Sequence, residues 1–237
     1  MSTINKSATQ LNATILSNKR VGAYHQILLA IGDLASVCRP GNFVAISVGG
    51  ETSRMVLRRA FAISRITHGS ASGGAMELIV APHGSGSRWL CAQEEGVELD
   101  IVAPLGKAFG IPTTPVNALL VGGGYGSAPL FGLAEVLKAR GCRVDMLLGA
   151  STGSKIYAPL EGKRSASTLK IFTEDGSMGE HGRVTAPIRE VIAQGSVDVI
   201  YSCGPMSMLR SCIDGPVMDG SLVAWDLVGK TPPVGIA

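Results

Sequence analysis

The sequence predicts a chain of two unlike parts: an antiparallel β unit of six short strands, barrel or sandwich, followed by an α/β unit built on a parallel sheet. Three observations carry this. Short apolar or alternating runs fill the first part, separated by Gly, Pro, Ser and Asn clusters. Beyond Ile111-Pro-Thr-Thr-Pro115 the pattern changes to strands alternating with helices, the signature of right-handed crossovers. The stretch Leu119–Leu130, LLVGGGYGSAPL, reads as a buried strand, a glycine turn and a helix start.

In chain order, the strands expected in the first part are Ala13–Ser17, Tyr24–Ile31, Asn42–Val48, Ala60–Ile66, Ala75–Ala81 and Val97–Val102. The punctuation between them includes Arg39-Pro-Gly-Asn, Gly49-Gly50 and Gly69-Ser-Ala-Ser-Gly-Gly. The boundary is placed near Pro112, giving units 1–112 and 113–213 and a tail 214–237 with little periodicity. In the second unit, Leu119–Val121 shows no alternation, as a strand covered on both faces should. Pro129 opens a helix whose Leu130, Leu133, Ala134 and Leu137 share one face, with Gly141 as its stop signal. Then come a strand at Val144–Leu148, a helical or irregular piece, a strand at Thr168–Phe172, a helix near Ala186–Gln194 and a strand at Val197–Ser202.

Composition excludes several classes. Charged residues are 16% and apolar residues 46%, with a mean hydropathy of +0.29, which fits a compact globular chain and not a disordered one. A net charge of +3 without a dense Lys/Arg block argues against nucleic acid or an anionic membrane as partner. No apolar run reaches transmembrane length, and the polar start MSTINKSATQLNA lacks a signal-peptide core, so the expectation is a cytoplasmic protein. The five cysteines (Cys38, Cys91, Cys142, Cys203, Cys212) are odd in number and form no C-x-x-C, which suggests neither a disulfide framework nor a zinc site.

Several stretches could hold a ligand. The glycines of Gly122–Gly126 precede a helix N-terminus, where free N–H groups and the helix dipole favour an anion. Position 127 is Ser, so the spacing is not G-x-G-x-x-G, and a plain tight turn is the alternative. Arg58 and Arg59 stand before an apolar strand containing Phe61; they could grip a phosphate, or be an ordinary exposed pair. Gly84-Ser-Gly-Ser87 precedes a short helix with Ser85 or Ser87 as candidate N-cap. Thr173–Gly179 and Tyr201–Met206 follow strand ends, the edge where ligands bind in parallel sheets. Cys203 reads either as a small buried hydrophobe or as a residue packed against a reacting ring. No spacing calls for a nucleophilic triad or a histidine metal site.

These pieces together, in this order, resemble the ferredoxin-reductase-like flavoproteins and, among them, the electron-transfer subunits of NAD-linked dihydroorotate dehydrogenase. Arg59-Ala-Phe-Ala-Ile63 resembles R-P-[FI]-S-I, Gly84-Ser-Gly-Ser87 resembles G-x-G-T, and Pro104-Leu-Gly-Lys-Ala-Phe109 resembles P-L-G-x-x-F. Gly122-Gly-Gly-Tyr-Gly-Ser-Ala-Pro129 resembles G-G-G-x-G-x-A-P, Thr173–Gly179 resembles T-x-D-G-S-x-G, and Cys203-Gly-Pro-Met-Ser-Met208 resembles C-G-P-x-x-M. The resemblance runs from about Ala13 through nearly the whole chain. It implies a six-stranded antiparallel FAD-binding barrel followed by a parallel-sheet NAD-binding domain.

The roles it implies are these. Arg59 pairs with the FAD diphosphate, Phe61 lines the flavin with Ala60 and Ala62, and Gly84, Gly86 and Ser87 hold the diphosphate. Ile79, Val80 and Ala81 complete the FAD set. Gly122, Gly123, Gly124 and Gly126, with Asp175, Gly204 and Pro205, hold NAD(H), and Cys203 packs by the nicotinamide. Hydride passes between nicotinamide C4 and flavin N5, the protein supplying orientation. The implied partner is an FMN-containing dihydroorotate dehydrogenase catalytic subunit in a hetero-oligomer of pyrimidine biosynthesis. A stand-alone NAD(P)H:flavin or ferredoxin-type reductase and a non-catalytic degenerate module are the alternatives.

Two departures stand out. The flavin-strand Ser of the pattern is Ala62 here, and Ser64 lies two residues on. The family also carries a 2Fe-2S cluster on four cysteines, three of them in a segment like C-G-x-G-x-C-x-x-C, which this sequence lacks. Arg210-Ser-Cys-Ile-Asp-Gly-Pro-Val-Met-Asp219 resembles the family's ending, so Cys212 is the one remaining candidate ligand. Four thiolates hold an ordinary cluster, and the expectation is FAD and NAD(H) without 2Fe-2S.

Overall fold

The computed structural model describes residues 8–50, 53–69, 73–194 and 196–204. Pro205, Cys212 and the tail 214–237 lie outside the described residues. The chain divides into two compact units, Met1–Phe109 and Gly110–Ala237.

The first unit is a closed antiparallel barrel. Its strands are β1 (Thr9–Val21), β2 (Tyr24–Ala30), β3 (Phe43–Ile46), β4 (Arg59–His68), β5 (Gly74–Val80) and β6 (Glu98–Leu105). They are joined in the order β1-β2-β5-β4-β3-β6, so the alternative of a sandwich is set aside. Period-2 alternation explains the closure. Ala13 and Ile15, Ile27 and Leu29, Val44 and Ile46, Met76, Leu78 and Val80, and Leu99, Ile101 and Ala103 all point into one buried cluster. Each buried Leu or Ile contributes roughly 1.5–3 kcal/mol relative to exposure. A short helix, α1 (Ser85–Cys91), is pinned to this core by the fully buried Leu90, with Trp89 and Cys91 packed beside it.

The second unit has five strands: β7 (Asn117–Gly123), β8 (Arg143–Ala150), β9 (Thr168–Thr173), β10 (Glu180–His181) and β11 (Val199–Cys203). All pairings are parallel, and the order is β10-β9-β8-β7-β11. Helices α2 (Ala128–Ala139), α3 (Pro159–Ser165) and α4 (Ile188–Ala193) make the crossovers. Leu119, Val121, Leu147 and Phe172 pack with Ile188, Val191 and Ile192 of α4. Leu130, Leu133, Ala134 and Leu137 of α2 are fully buried, as expected of its apolar face. Gly141 sits in the left-handed region at φ 78°, and the N–H groups of Gly141 and Cys142 donate to the carbonyls of Lys138 and Leu137. That is the Schellman ending glycine permits. The short strand β10, with two exposed residues, carries no periodic signal in the sequence.

Candidate functional site

In the barrel, the paired arginines separate into two roles. Arg58 is a latch: its guanidinium ion-pairs with the Asp100 carboxylate, and Nη1 donates to the Asp100 carbonyl at 2.8 Å. The hydrogen bond from Arg58 holds the Asp100 carboxyl below the usual carboxylate range, helped by Gln10 at 2.9 Å. Arg59, the first residue of β4, instead reaches α1. A Cβ placed on Gly86 would come within 3.0 Å of Arg59 Cγ and 3.2 Å of Nε, so the guanidine stem lies across the first turn of the helix. Its Nη1 also donates to Leu57 O at 2.7 Å.

The cap of α1 differs from expectation. Neither Ser85 nor Ser87 is the N-cap; Gly84 is, in an extended conformation. Ser87 is three residues in, and its hydroxyl reaches back, accepting from Gly84 N at 3.0 Å and lying 3.2 Å from Gly84 O. What Ser87 offers outward is therefore its N–H, one of the first-turn amides without an intrahelical acceptor. The space where a Gly84 side chain would stand is open, with no atom within 4 Å. A guanidinium, first-turn amides and an open glycine, with the neighbouring Asp100 already occupied by Arg58, suit a diphosphate. On β4 the Phe61 ring packs against the barrel core beside Val44, while Ala60 and Ala62 are exposed. The face open to a flat ring is therefore alanine and backbone, and the Phe61 side chain turns away from it. On β5 Ile79 is buried and Val80 points into the core, and Ala81 just past the strand is buried too, so these residues have mainly backbone to offer.

In the second unit, β8 and β9 follow β7 on one side and β11 lies on the other. The strand order therefore reverses at β7, and ligands of open α/β sheets bind at the carboxyl ends beside such a reversal. That edge holds the glycine turn, Cys203 and Gly204 together. Cys203 pairs with Gly122 in the β11–β7 register. A Cβ on Gly126 would come within 2.9 Å of Gly204 Cα, and one on Gly122 within 2.5 Å of Ser127 Cβ. The glycines at 122 and 126 thus let the turn close on its own chain and on the end of β11. Gly124 takes the left-handed φ of 55° that the turn requires.

Asp175 stands apart from this turn. It follows β9, two strand positions from β7, or about 10 Å across the sheet. Ser177 donates its hydroxyl (2.6 Å) and N–H (3.0 Å) to Asp175 Oδ1, which holds that carboxyl below its ordinary range. Gly153 N donates to Ser177 Oγ at 2.7 Å, which ties together the loops after β8 and β9, and within the first loop Lys155 Nζ donates to Ser151 Oγ at 3.1 Å.

No family model matches the chain. An electron-transfer subunit of dihydroorotate dehydrogenase B (NAD(+)) from Fusobacterium nucleatum is 34% identical over 194 residues, covering 80% of this chain and 73% of that protein. The subunit of the same name from Geobacillus thermodenitrificans is 36% identical over 202 residues, 84% of this chain and 76% of that protein. The chain belongs to this family of electron-transfer subunits. Among solved structures, one of the NADH-dependent reduced ferredoxin–NADP oxidoreductase superposes with a TM-score of 0.72 at 26% identity, over 84% of this chain and 70% of that one. The cytochrome b5 reductase domain of Ulva prolifera nitrate reductase shares the fold, with a TM-score of 0.65 at 16% identity over 87% of this chain and 92% of that one.

Within this dihydroorotate dehydrogenase B family fold, one polar cluster escaped sequence reasoning. Glu77 on β5 is buried and held by Ser64, Gln26 and Arg65. It occupies an outward parity that alternation reads as exposed, so no sequence signal marks it. Among the described residues, no three His, Cys, Asp or Glu are grouped to hold a metal ion, and no helix is long and apolar enough to cross a membrane.

Proposed function

We propose that the barrel holds FAD, that the second unit holds NAD(H), and that the chain passes electrons between NAD and an FMN-containing dihydroorotate dehydrogenase catalytic subunit in the cytoplasm. The observation that carries this reading is the convergence of Gly122, Gly126, Cys203 and Gly204 at the strand-order reversal. It is supported by the second convergence of Arg59 and Gly86 on the barrel. Arg59 and the first-turn amides of α1 hold the diphosphate; Ala60 and Ala62 leave the β4 face open to the ring. Bound FAD supplies the exchange between hydride and single electrons. Gly122–Gly126, Gly204 and Pro205 take the dinucleotide, and Cys203 packs at the nicotinamide to fix its orientation. Asp175, two strands over, reaches the more distant part of the dinucleotide. NAD is favoured over NADP by family membership, and at the end of β8 Lys155 donates to Ser151.

The chain is further read as lacking the 2Fe-2S cluster. A cluster takes four thiolates. Of the described cysteines, Cys38 and Cys91 belong to the first unit and Cys142 and Cys203 to the second, and no three are grouped to hold a metal; Cys212 lies outside the described residues. Electron transfer to the partner then requires direct flavin-to-flavin approach. The missing cysteine segment also favours a second reading, a stand-alone NAD(P)H:flavin reductase. An anaerobic spectrum with and without NADH tests the main proposal. Flavin bands that bleach on NADH addition are expected; a colourless protein that rejects added FAD overturns it. Iron and acid-labile sulfide assays test the cluster, and stoichiometric iron refutes its absence. Co-purification with a dihydroorotate-oxidising subunit separates the two enzyme readings.

A further inference from the structure

The buried carboxylate of Glu77 belongs to neither the Arg59–Gly86 cradle nor the glycine turn, and it is held on several sides. Glu77 is 8% exposed. Its Oε1 accepts from Ser64 Oγ at 2.9 Å and its Oε2 from Gln26 Nε2 at 2.7 Å, with Arg65 Nη1 at 3.8 Å. Burying a carboxylate beside mostly neutral partners carries a desolvation penalty.

The strand is also bent to make the contact. The β4–β5 register slips between Ile63 and Arg65: Ile63 lies opposite Leu78, and Arg65 opposite Glu77. Ser64 is therefore the extra residue of a β-bulge, a device that re-aims a side chain. In a regular strand, Arg65 would share the inward parity of Ile63. With the bulge, Ile66 returns to the core opposite Met76, and both Ser64 and Arg65 are left at Glu77. Along β4 the outward residues before the bulge are Ala60 and Ala62, exposed and without polar atoms in their side chains. Ser64 is the next outward group, about 7 Å beyond Ala62.

We propose that Glu77, positioned by Ser64 and Gln26 at the end of the alanine face of β4, is an electrostatic tuning residue for the flavin of this barrel. The proposal rests on the reading that the barrel binds FAD. A fixed carboxylate beside that face opposes the arrival of electrons and keeps the bound flavin hard to reduce. Arg65, the cation on Glu77, offsets part of this field. Glu77 acts as a positioning and tuning group and does not itself exchange protons or electrons.

The test is the midpoint potential of FAD bound to the full chain, measured for the wild type, Glu77→Gln and Arg65→Gln. Glu77→Gln preserves shape and removes the charge; its amide oxygen can still accept from Gln26 Nε2, and its NH2 can donate to the Ser64 hydroxyl, which turns to accept. The expected result is a rise in potential that shifts the reduced-to-oxidised ratio about tenfold, or about 30 mV for a two-electron couple. Arg65→Gln removes the offsetting cation and is expected to shift the ratio the other way, by roughly threefold or more. Opposite signs are a result that a purely structural latch does not give. Potentials unchanged, or moved in the same direction, overturn the proposal. If Glu77→Gln does not fold, Arg65→Gln decides: a lowered potential supports the tuning role and an unchanged one refutes it. A wild-type chain that binds no FAD refutes the flavin reading instead, so the two failures are distinguishable.

Discussion

Arg59 lies across Gly86. The two are far apart in sequence, and a Cβ on Gly86 would meet Arg59 Cγ at 3.0 Å and Val48 Cγ2 at 3.1 Å. Gly86→Ala is expected to push the guanidinium off the helix and weaken FAD binding while leaving the barrel folded. Alanine is the better helix former by up to about 1 kcal/mol, which offsets the crowding. Isothermal titration with FAD and a thermal melt of the apoprotein separate the two effects; equal FAD affinity in the variant would sink the assignment.

Arg59→Ala should lower FAD affinity by roughly 10- to 100-fold, the loss of one charge-assisted contact of about 1.5–3 kcal/mol. Arg58→Ala should leave FAD affinity nearly unchanged, because Arg58 is committed to Asp100. The comparison of the two variants by flavin retention on a desalting column distinguishes ligand from latch.

The latch has a pH signature. The Asp100 carboxyl is depressed by Arg58, so its contribution is fully present above the unfolded carboxylate value, about 3.9. It is lost as pH falls through the lower folded value. At neutral pH, Arg58→Ala should therefore destabilise by at most about 1 kcal/mol, since the pair is partly exposed. The gap between variant and wild type should close as the solution is acidified, read as urea midpoints over a pH series.

Gly126→Ala sets a new Cβ 2.9 Å from Gly204 Cα, backbone against backbone with no flexible side chain to yield. The expected cost is about 1–3 kcal/mol of stability, together with a raised KM for NADH from parting the turn and the end of β11. Denaturant melts and steady-state kinetics check both, and a neutral variant would contradict the contact.

Cys203→Ala should keep FAD and NADH binding and slow flavin reduction by roughly tenfold or more, because a small displacement of the reacting ring is costly in rate. Stopped-flow bleaching of the flavin by NADH measures it. A rate equal to wild type would return Cys203 to the status of packing.

The alternation of Ile27 and Leu29 or of Leu99, Ile101 and Ala103, the unbroken Leu119–Val121 run and the Gly141 stop determined by themselves that a small-stranded β unit precedes a parallel α/β unit. They also marked the glycine turn and Arg59 as ligand candidates. Periodicity and turn chemistry are local, so they survive without knowledge of the fold. Only the tertiary structure decided that Arg58 latches to Asp100 while Arg59 crosses Gly86, that Phe61 faces the core, that Cys203 stands opposite Gly122, and that a bulge at Ser64 delivers a hydroxyl to a buried Glu77. Each of these joins residues distant in sequence or shifts a strand's register, and such pairings follow from how the strands close and cross over, which short-range patterns do not encode.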